Sequence, residues 1–123
     1  MSQTGKAAIL VVEDEALVRW ATRDGMEDAG FEVHDARNAD EAIQLLEANP
    51  DISLIFTDVD MPGSMDGVKL AHYVRKRRPP VKIIVTSGFK HVTPDQLPNG
   101  SLFLSKPYQR EHLRQQIETL VNS

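Results

Sequence analysis

No cysteine occurs in the 123 residues, so disulfides, thiolate zinc sites and thiol catalysis are excluded and nothing points to an oxidising compartment. Long apolar runs are missing too. Met1 to Lys6 leads into Ala7 to Val12, which then meets three acids, a stretch too short for a signal sequence or a membrane span. The expectation is a soluble, cytoplasmic protein with no membrane contact. There is no surplus of positive charge: the net charge is −4, which repels phosphate backbones and argues against direct nucleic-acid binding. Arg75-Lys76-Arg77-Arg78 is the one basic run, and it reads as a solvated helix end where cations favour the macrodipole. Repeats, low-complexity tracts and linkers are absent. The histidines, His34, His72, His91 and His112, are dispersed without metal-ligand spacing. One domain over residues 1–123, structured from about 7 to 121, is the expected organisation, and a chain of this size buries roughly two-thirds of its unfolded surface.

What is present is a succession of short apolar runs that end in polar chemistry. Ile9-Leu10-Val11-Val12 stops at Glu13-Asp14-Glu15, Ile52 to Thr57 stops at Asp58, and Leu102 to Ser105 stops at Lys106-Pro107. Between the runs lie helical patterns. Val18, Ala21, Thr22, Gly25, Met26 and Ala29 form an inward stripe closed by Gly30, with the interior Gly25 weakening that helix. Asn38 and Glu41 form a candidate capping box ahead of Ala39, Ala42, Ile43 and Leu46. Asp66 precedes a stripe of Gly67, Leu70, Ala71 and Val74, and a last helix carries Leu113, Ile117, Leu120 and Val121. Phe31 to Ala36 alternates as an edge strand does, and Val81 to Val85 is a buried strand ending at Thr86-Ser87-Gly88. Strands alternating with helices predict an α/β fold, a doubly wound five-stranded parallel sheet with helices on both faces. The slot from Phe89 to Gly100 holds Pro94, Pro98 and Asn99-Gly100, so a fourth helix there is short or irregular.

In open parallel sheets ligands bind at the carboxyl ends of the strands, where this chain aims three acids and a lysine. Two unit charges 4 Å apart repel by about 4 kcal/mol at an effective dielectric of 20, so clustered carboxylates want a divalent cation. An all-oxygen site completed by a backbone carbonyl and water suits Mg²⁺, which often bridges a carboxylate to a phosphoryl group. Lys106 and Thr86 would then hold phosphoryl oxygens while Asp58 acts as a nucleophile.

The segments Val11-Val12-Glu13-Asp14-Glu15, Thr57 to Gly63, Met65-Asp66-Gly67, Val85-Thr86-Ser87-Gly88 and Lys106-Pro107 together resemble the receiver domain of two-component response regulators, over nearly the whole chain. The resemblance implies a flavodoxin-like sheet of order 2-1-3-4-5 and a phosphorelay function. It makes Asp58 the phosphoacceptor and places Glu13, Asp14, Asp58 and the backbone carbonyl of Asp60 around Mg²⁺. It assigns Thr86 and Lys106 to the phosphoryl group, Phe103 to the aromatic switch, and a cis bond to Pro107. Leu17 and Trp20 fall off the inward stripe of the first helix, where a histidine kinase or histidine phosphotransfer protein would dock, and a downstream protein target would read the output. Glu13 stands where aspartate is commoner, and the loop after Asp58 is one residue longer than the commonest form. The competing readings are a haloacid-dehalogenase-like phosphatase, suggested by Asp58-Val59-Asp60, and a pseudo-receiver that binds partners without phosphorylation. No output domain is read after Val121-Asn122-Ser123, so the chain is expected to be a stand-alone regulator, a relay intermediate or a receiver cut from a longer protein.

Overall fold

The computed structural model describes residues 7–63, 65–88 and 92–122; the expectations that touch Ser64, Phe89 and His91 lie outside them. In chain order the elements are β1 (Ala8–Val12), α1 (Ala16–Asp28), β2 (Glu32–Ala36), α2 (Ala39–Ala48), β3 (Ile52–Asp58), α3 (Gly67–Arg77), β4 (Lys82–Ser87), a 3₁₀ turn at Pro94–Gln96, β5 (Leu102–Ser105) and α4 (Arg110–Val121). The five strands are parallel in the order β2-β1-β3-β4-β5, as the resemblance implied. Every residue of β1 is buried, because an inner strand of such a sheet is covered on both faces.

Strand alternation splits the interior into two cores. Ala8, Leu10 and Val12 face α2 and α3, meeting Ala42, Leu46, Leu70 and Val74, while Ile9 and Val11 face α1 and α4, meeting Met26, Leu113 and Ile117. A bulge adjusts this phase between β1 and β3. Ala8 pairs with Ile52 and Ile9 with Leu54, so Ser53 is the extra residue, and its hydroxyl donates to the Ala8 carbonyl at 3.3 Å. A one-residue slip exchanges the faces of everything downstream, so Leu54, Phe56 and, by the same phase, Asp58 turn toward the α1 and α4 side.

The helices depart from the sequence pattern in instructive ways. Of the expected α1 stripe only Gly25 and Met26 are fully buried, and Ala21 is exposed, because α4 covers only part of that face. Gly25 interrupts nothing: a β-carbon there would lie 2.8 Å from the Arg110 side chain, so the glycine gives Arg110 room to lie across α1. Gly30 ends the helix at φ +98°. Asn38 caps α2 by accepting from the Glu41 N–H at 2.9 Å, but the Glu41 carboxylate returns to the N–H and guanidinium of Arg37, not to Asn38. Only half of the box forms. The α3 stripe of Gly67, Leu70, Ala71 and Val74 is buried as expected, with Asp66 accepting from the Lys69 N–H.

The basic run closing α3 is more than a solvated end. Arg78 donates to the carbonyls of Leu46, Asn49, Pro50 and Ile52, tying α2, the following turn and β3 together at the amino edge of the sheet. Arg75 donates to the Pro79 carbonyl and Arg77 lies over the Tyr73 ring. Where a fourth helix was expected to be short, the described residues hold the 3₁₀ turn, seated on the α3 side by Val92 and Leu97 and by a 2.7 Å contact between His72 Nε2 and the Gln96 carbonyl. Phe103 on β5 is left 37 % exposed. Among the described residues no helix is long and apolar enough to cross a membrane.

Candidate functional site

β3 carries Asp58 to its last position and leaves it only 4 % exposed. Its Oδ1 accepts from the Asp60 N–H at 3.0 Å and its Oδ2 from Lys106 Nζ at 2.6 Å, so both oxygens are fixed from opposite sides. Beside it β1 leads directly into Glu13, which is 6 % exposed, followed by the exposed Asp14. Each of Glu13, Asp14 and Asp58 offers a carboxylate oxygen, and these lie within 4.8 Å of one another. The Lys106 ammonium reaches Glu13 Oε1 at 3.5 Å as well as Asp58.

The electrostatics follow from that crowding. Burial pushes the Glu13 carboxyl up to about 7, with Asp58 adding to the rise and the Glu15 N–H and Lys106 opposing it. Burial acts to lower Lys106, but the hydrogen bond and charge of Asp58, with Glu13 behind them, outweigh it and raise the ammonium above its ordinary value. Glu13 and Asp58 share Lys106 while the exposed Asp14 stands beside them, which concentrates negative charge among the described residues at this spot. Hard oxygen donors in that arrangement fit Mg²⁺, and the Glu13, Asp14 and Asp58 carboxylates are the side chains placed to hold it.

The other expected residues lie around this cluster but not all aim into it. Thr86 is the register partner of Asp58 on β4, yet its hydroxyl donates to the Leu104 carbonyl on β5 at 2.6 Å. The reason is local: a buried hydroxyl must be paired, and the β5 carbonyl is within its reach. Asp60 presents its side chain to Ser87, whose hydroxyl donates to Oδ2 at 3.0 Å. The Lys106-Pro107 peptide is cis. Tyr108, just beyond it, packs edge-on against Phe56 with ring centroids 5.6 Å apart, and its burial raises its hydroxyl above the ordinary value. Leu17 and Trp20 stand out from α1 at 75 % and 54 % exposure. Leu17 also edges a groove of about 670 Å³ shared with Ala21, Lys106, Pro107, Tyr108 and Arg110, so the exposed apolar patch is continuous with the rim of the acidic cluster.

Sequence reading passed over three contributors. Ser87 was visible as part of the β4 terminus but not as the partner of Asp60. Gly67 had been read as part of the helix stripe, whereas a β-carbon there would lie 2.0 Å from the Asp58 carbonyl, so α3 can start against the backbone of Asp58 only with glycine. Arg19 forms an ion pair with Asp35, a contact between residues too far apart in sequence to be paired by local pattern.

A doubly wound parallel sheet with a buried acid, two neighbouring acids and a lysine gathered at its carboxyl edge places the chain in the flavodoxin-like class of α/β domains. The model of the response regulator receiver domain matches residues 9–118, and the chain belongs to that family. It is 34 % identical over 116 residues to the response regulator receiver protein CpdR of Brucella abortus, covering 92 % of this chain and 95 % of that protein. It is 31 % identical over 122 residues to the sensor kinase CckA of the same organism, covering 96 % of this chain but only 13 % of the kinase. Among solved structures, a response regulator receiver protein from Sinorhizobium medicae superposes with a TM-score of 0.88 at 26 % identity, covering 98 % of each chain. Family membership sets aside the haloacid-dehalogenase reading of Asp58-Val59-Asp60.

Proposed function

We propose that the chain is a single receiver domain over residues 1–123. In this reading it accepts a phosphoryl group from a phosphohistidine onto Asp58 and, once phosphorylated, changes its affinity for a downstream protein. The observation that carries the reading is Asp58 itself: a buried carboxylate fixed by Lys106 within ligand distance of two further acids. Such an oxygen is oriented as a nucleophile and is not spent as a helix cap or a surface charge.

Asp58 attacks phosphorus, an O–P bond forms as the donor's N–P bond breaks, and the electron pair returns to the imidazole nitrogen. The Lys106 ammonium follows the negative charge from the carboxylate to a phosphoryl oxygen. Thr86 exchanges the Leu104 carbonyl for a second phosphoryl oxygen, which frees β5 to move and couples to the rotamer of Phe103. Mg²⁺ held by Glu13, Asp14, Asp58 and the Asp60 carbonyl supplies charge neutralisation for the acids and the incoming phosphoryl group. Later attack by water on phosphorus regenerates Asp58, so the domain catalyses only its own phosphorylation and dephosphorylation and turns over no separate substrate.

The donor is a histidine kinase or histidine phosphotransfer protein, docking on Leu17, Trp20 and the groove beside Lys106, whose exposed apolar area supports protein contact. Nucleic acid and membrane play no direct part, and the setting is cytoplasmic. Incubation with acetyl phosphate and Mg²⁺, read by intact mass, is expected to add one phosphoryl group to the wild-type chain and none to Asp58→Asn. An unmodified wild-type chain would leave the pseudo-receiver, and a modified Asp58→Asn would move the acceptor elsewhere.

A further inference from the structure

The peptide units of Glu13 are gripped from both sides. Its N–H donates to the Ala36 carbonyl at 2.9 Å, and its carbonyl accepts from Arg19 Nη1 at 2.9 Å. Arg19 is itself held, since its Nε donates to Asp35 Oδ2 at 3.1 Å. Asp35 and Ala36 are consecutive at the end of β2, so both grips come from one strand terminus, one directly and one relayed through a guanidinium on α1. Arg19 and Asp35 keep only 14 % and 19 % of their side chains exposed, and so are less screened than a surface pair.

The clamp sits where the site needs it. Glu13 has one more rotatable bond than aspartate and must deliver Oε1 toward Lys106 while Oε2 accepts from the Glu15 N–H at 3.1 Å. A longer arm reaches a defined point only if its backbone is fixed. The same carbonyl opens the peptide that carries Asp14, so one guanidinium fixes the origin of both acids. We propose that Arg19, oriented by Asp35, is a positioning residue that aims the Glu13 and Asp14 carboxylates at the cation site. This rests on the Mg²⁺ reading of that site.

Arg23 provides the control. Its Nη1 lies 2.6 Å from Asp35 Oδ1 and its Nε pairs with Glu27, so it shares the acid but makes no contact with the acidic loop. Calorimetric titration of Mg²⁺ into the 123-residue chain separates the possibilities. Arg19→Gln is expected to weaken Mg²⁺ binding by about tenfold, the scale of outer-shell effects on metal sites, while Arg23→Gln stays within about twofold of wild type. At saturating Mg²⁺, Arg19→Gln is expected to recover the wild-type rate of phosphorylation by acetyl phosphate, because the loss lies in holding the cation. Arg19→Lys, whose compact ammonium lacks the planar fork that reaches the Glu13 carbonyl and Asp35 together, is expected to bind more weakly than Arg23→Gln, and it stands in if Arg19→Gln melts below the assay temperature. Equal Mg²⁺ affinity in the Arg19 and Arg23 variants overturns the clamp, as does a rate that stays low at saturating Mg²⁺. Failure of the wild-type chain to bind Mg²⁺ overturns the reading beneath it instead.

Discussion

The two edges of the sheet handle charge in opposite ways. At the amino edge Arg78 is matched by the carbonyls of Leu46, Asn49, Pro50 and Ile52, a cation surrounded by acceptors. At the carboxyl edge Glu13, Asp14 and Asp58 gather within 4.8 Å of one another, and among the described residues Lys106 pairs with Glu13 and Asp58, so the acids outnumber the described cation. Contacts to four carbonyls in three segments make Arg78 a structural element. Incomplete satisfaction leaves the acidic edge able to gain by taking in a cation and a phosphoryl group. The repulsion stored there, on the order of 4 kcal/mol for a close pair, is comparable to what burial of two aliphatic side chains contributes, so the sheet's two cores carry it easily.

Breaking the satisfied edge should give the largest stability effect. Arg78→Ala strands carbonyls from three segments, and a loss of about 3 kcal/mol is expected in urea unfolding, with phosphorylation of the folded fraction unchanged. A change below about 0.5 kcal/mol would mean that water replaces the guanidinium and that the two edges differ less than their contacts imply.

Titration tests the unsatisfied edge. The folded-state Glu13 carboxyl is raised to about 7 from an ordinary 4.5, so between these values the folded chain binds a proton that the unfolded chain does not. Stability should therefore fall as pH rises from about 4.5 to about 7 and level off above, while Mg²⁺ affinity should rise over the same interval as the proton leaves. Glu13→Gln is expected to flatten this contribution in thermal melts at a series of pH values. An unchanged slope in that variant would move the effect to another group.

The smallest expected effect asks whether location or satisfaction decides. Asn38 lies at the acidic edge, lining a hollow with Asp14, yet its Oδ1 is engaged in capping α2. Asn38→Ala should cost about 1 kcal/mol in unfolding and leave the phosphorylation rate alone. A collapse of phosphorylation would show that position at this edge outweighs pairing.

The contrast between the edges also marks what could be read from residues alone. β1, β3 and β5 ending in acids or a lysine were legible because a buried strand announces itself by continuous apolar character and its terminus by the first charge. The α3 stripe was legible for the same reason, with the 3.6-residue period in place of continuity. Arg78 was not, because its acceptors lie in a segment nearly thirty residues away and look like any other backbone. The hidden bulge at Ser53 sets which face Asp58 takes, and a serine within an apolar run gives no sign of it. Thr86 was identifiable by type and place, whereas its hydroxyl's choice of the Leu104 carbonyl is a rotamer decision made by β5. Gly25 looked like a weakness until Arg110 from the far end of the chain filled the space above it.

Trp20 is the only indole in the chain, and it stands half out of α1. The domain therefore carries an intrinsic optical reporter confined to one surface: a partner that covers α1 should move tryptophan emission to shorter wavelength without any label, and a partner seated on β5 should leave it dark to the event. Fluorescence from a single native side chain can thus say where a bound protein sits before any complex is crystallised.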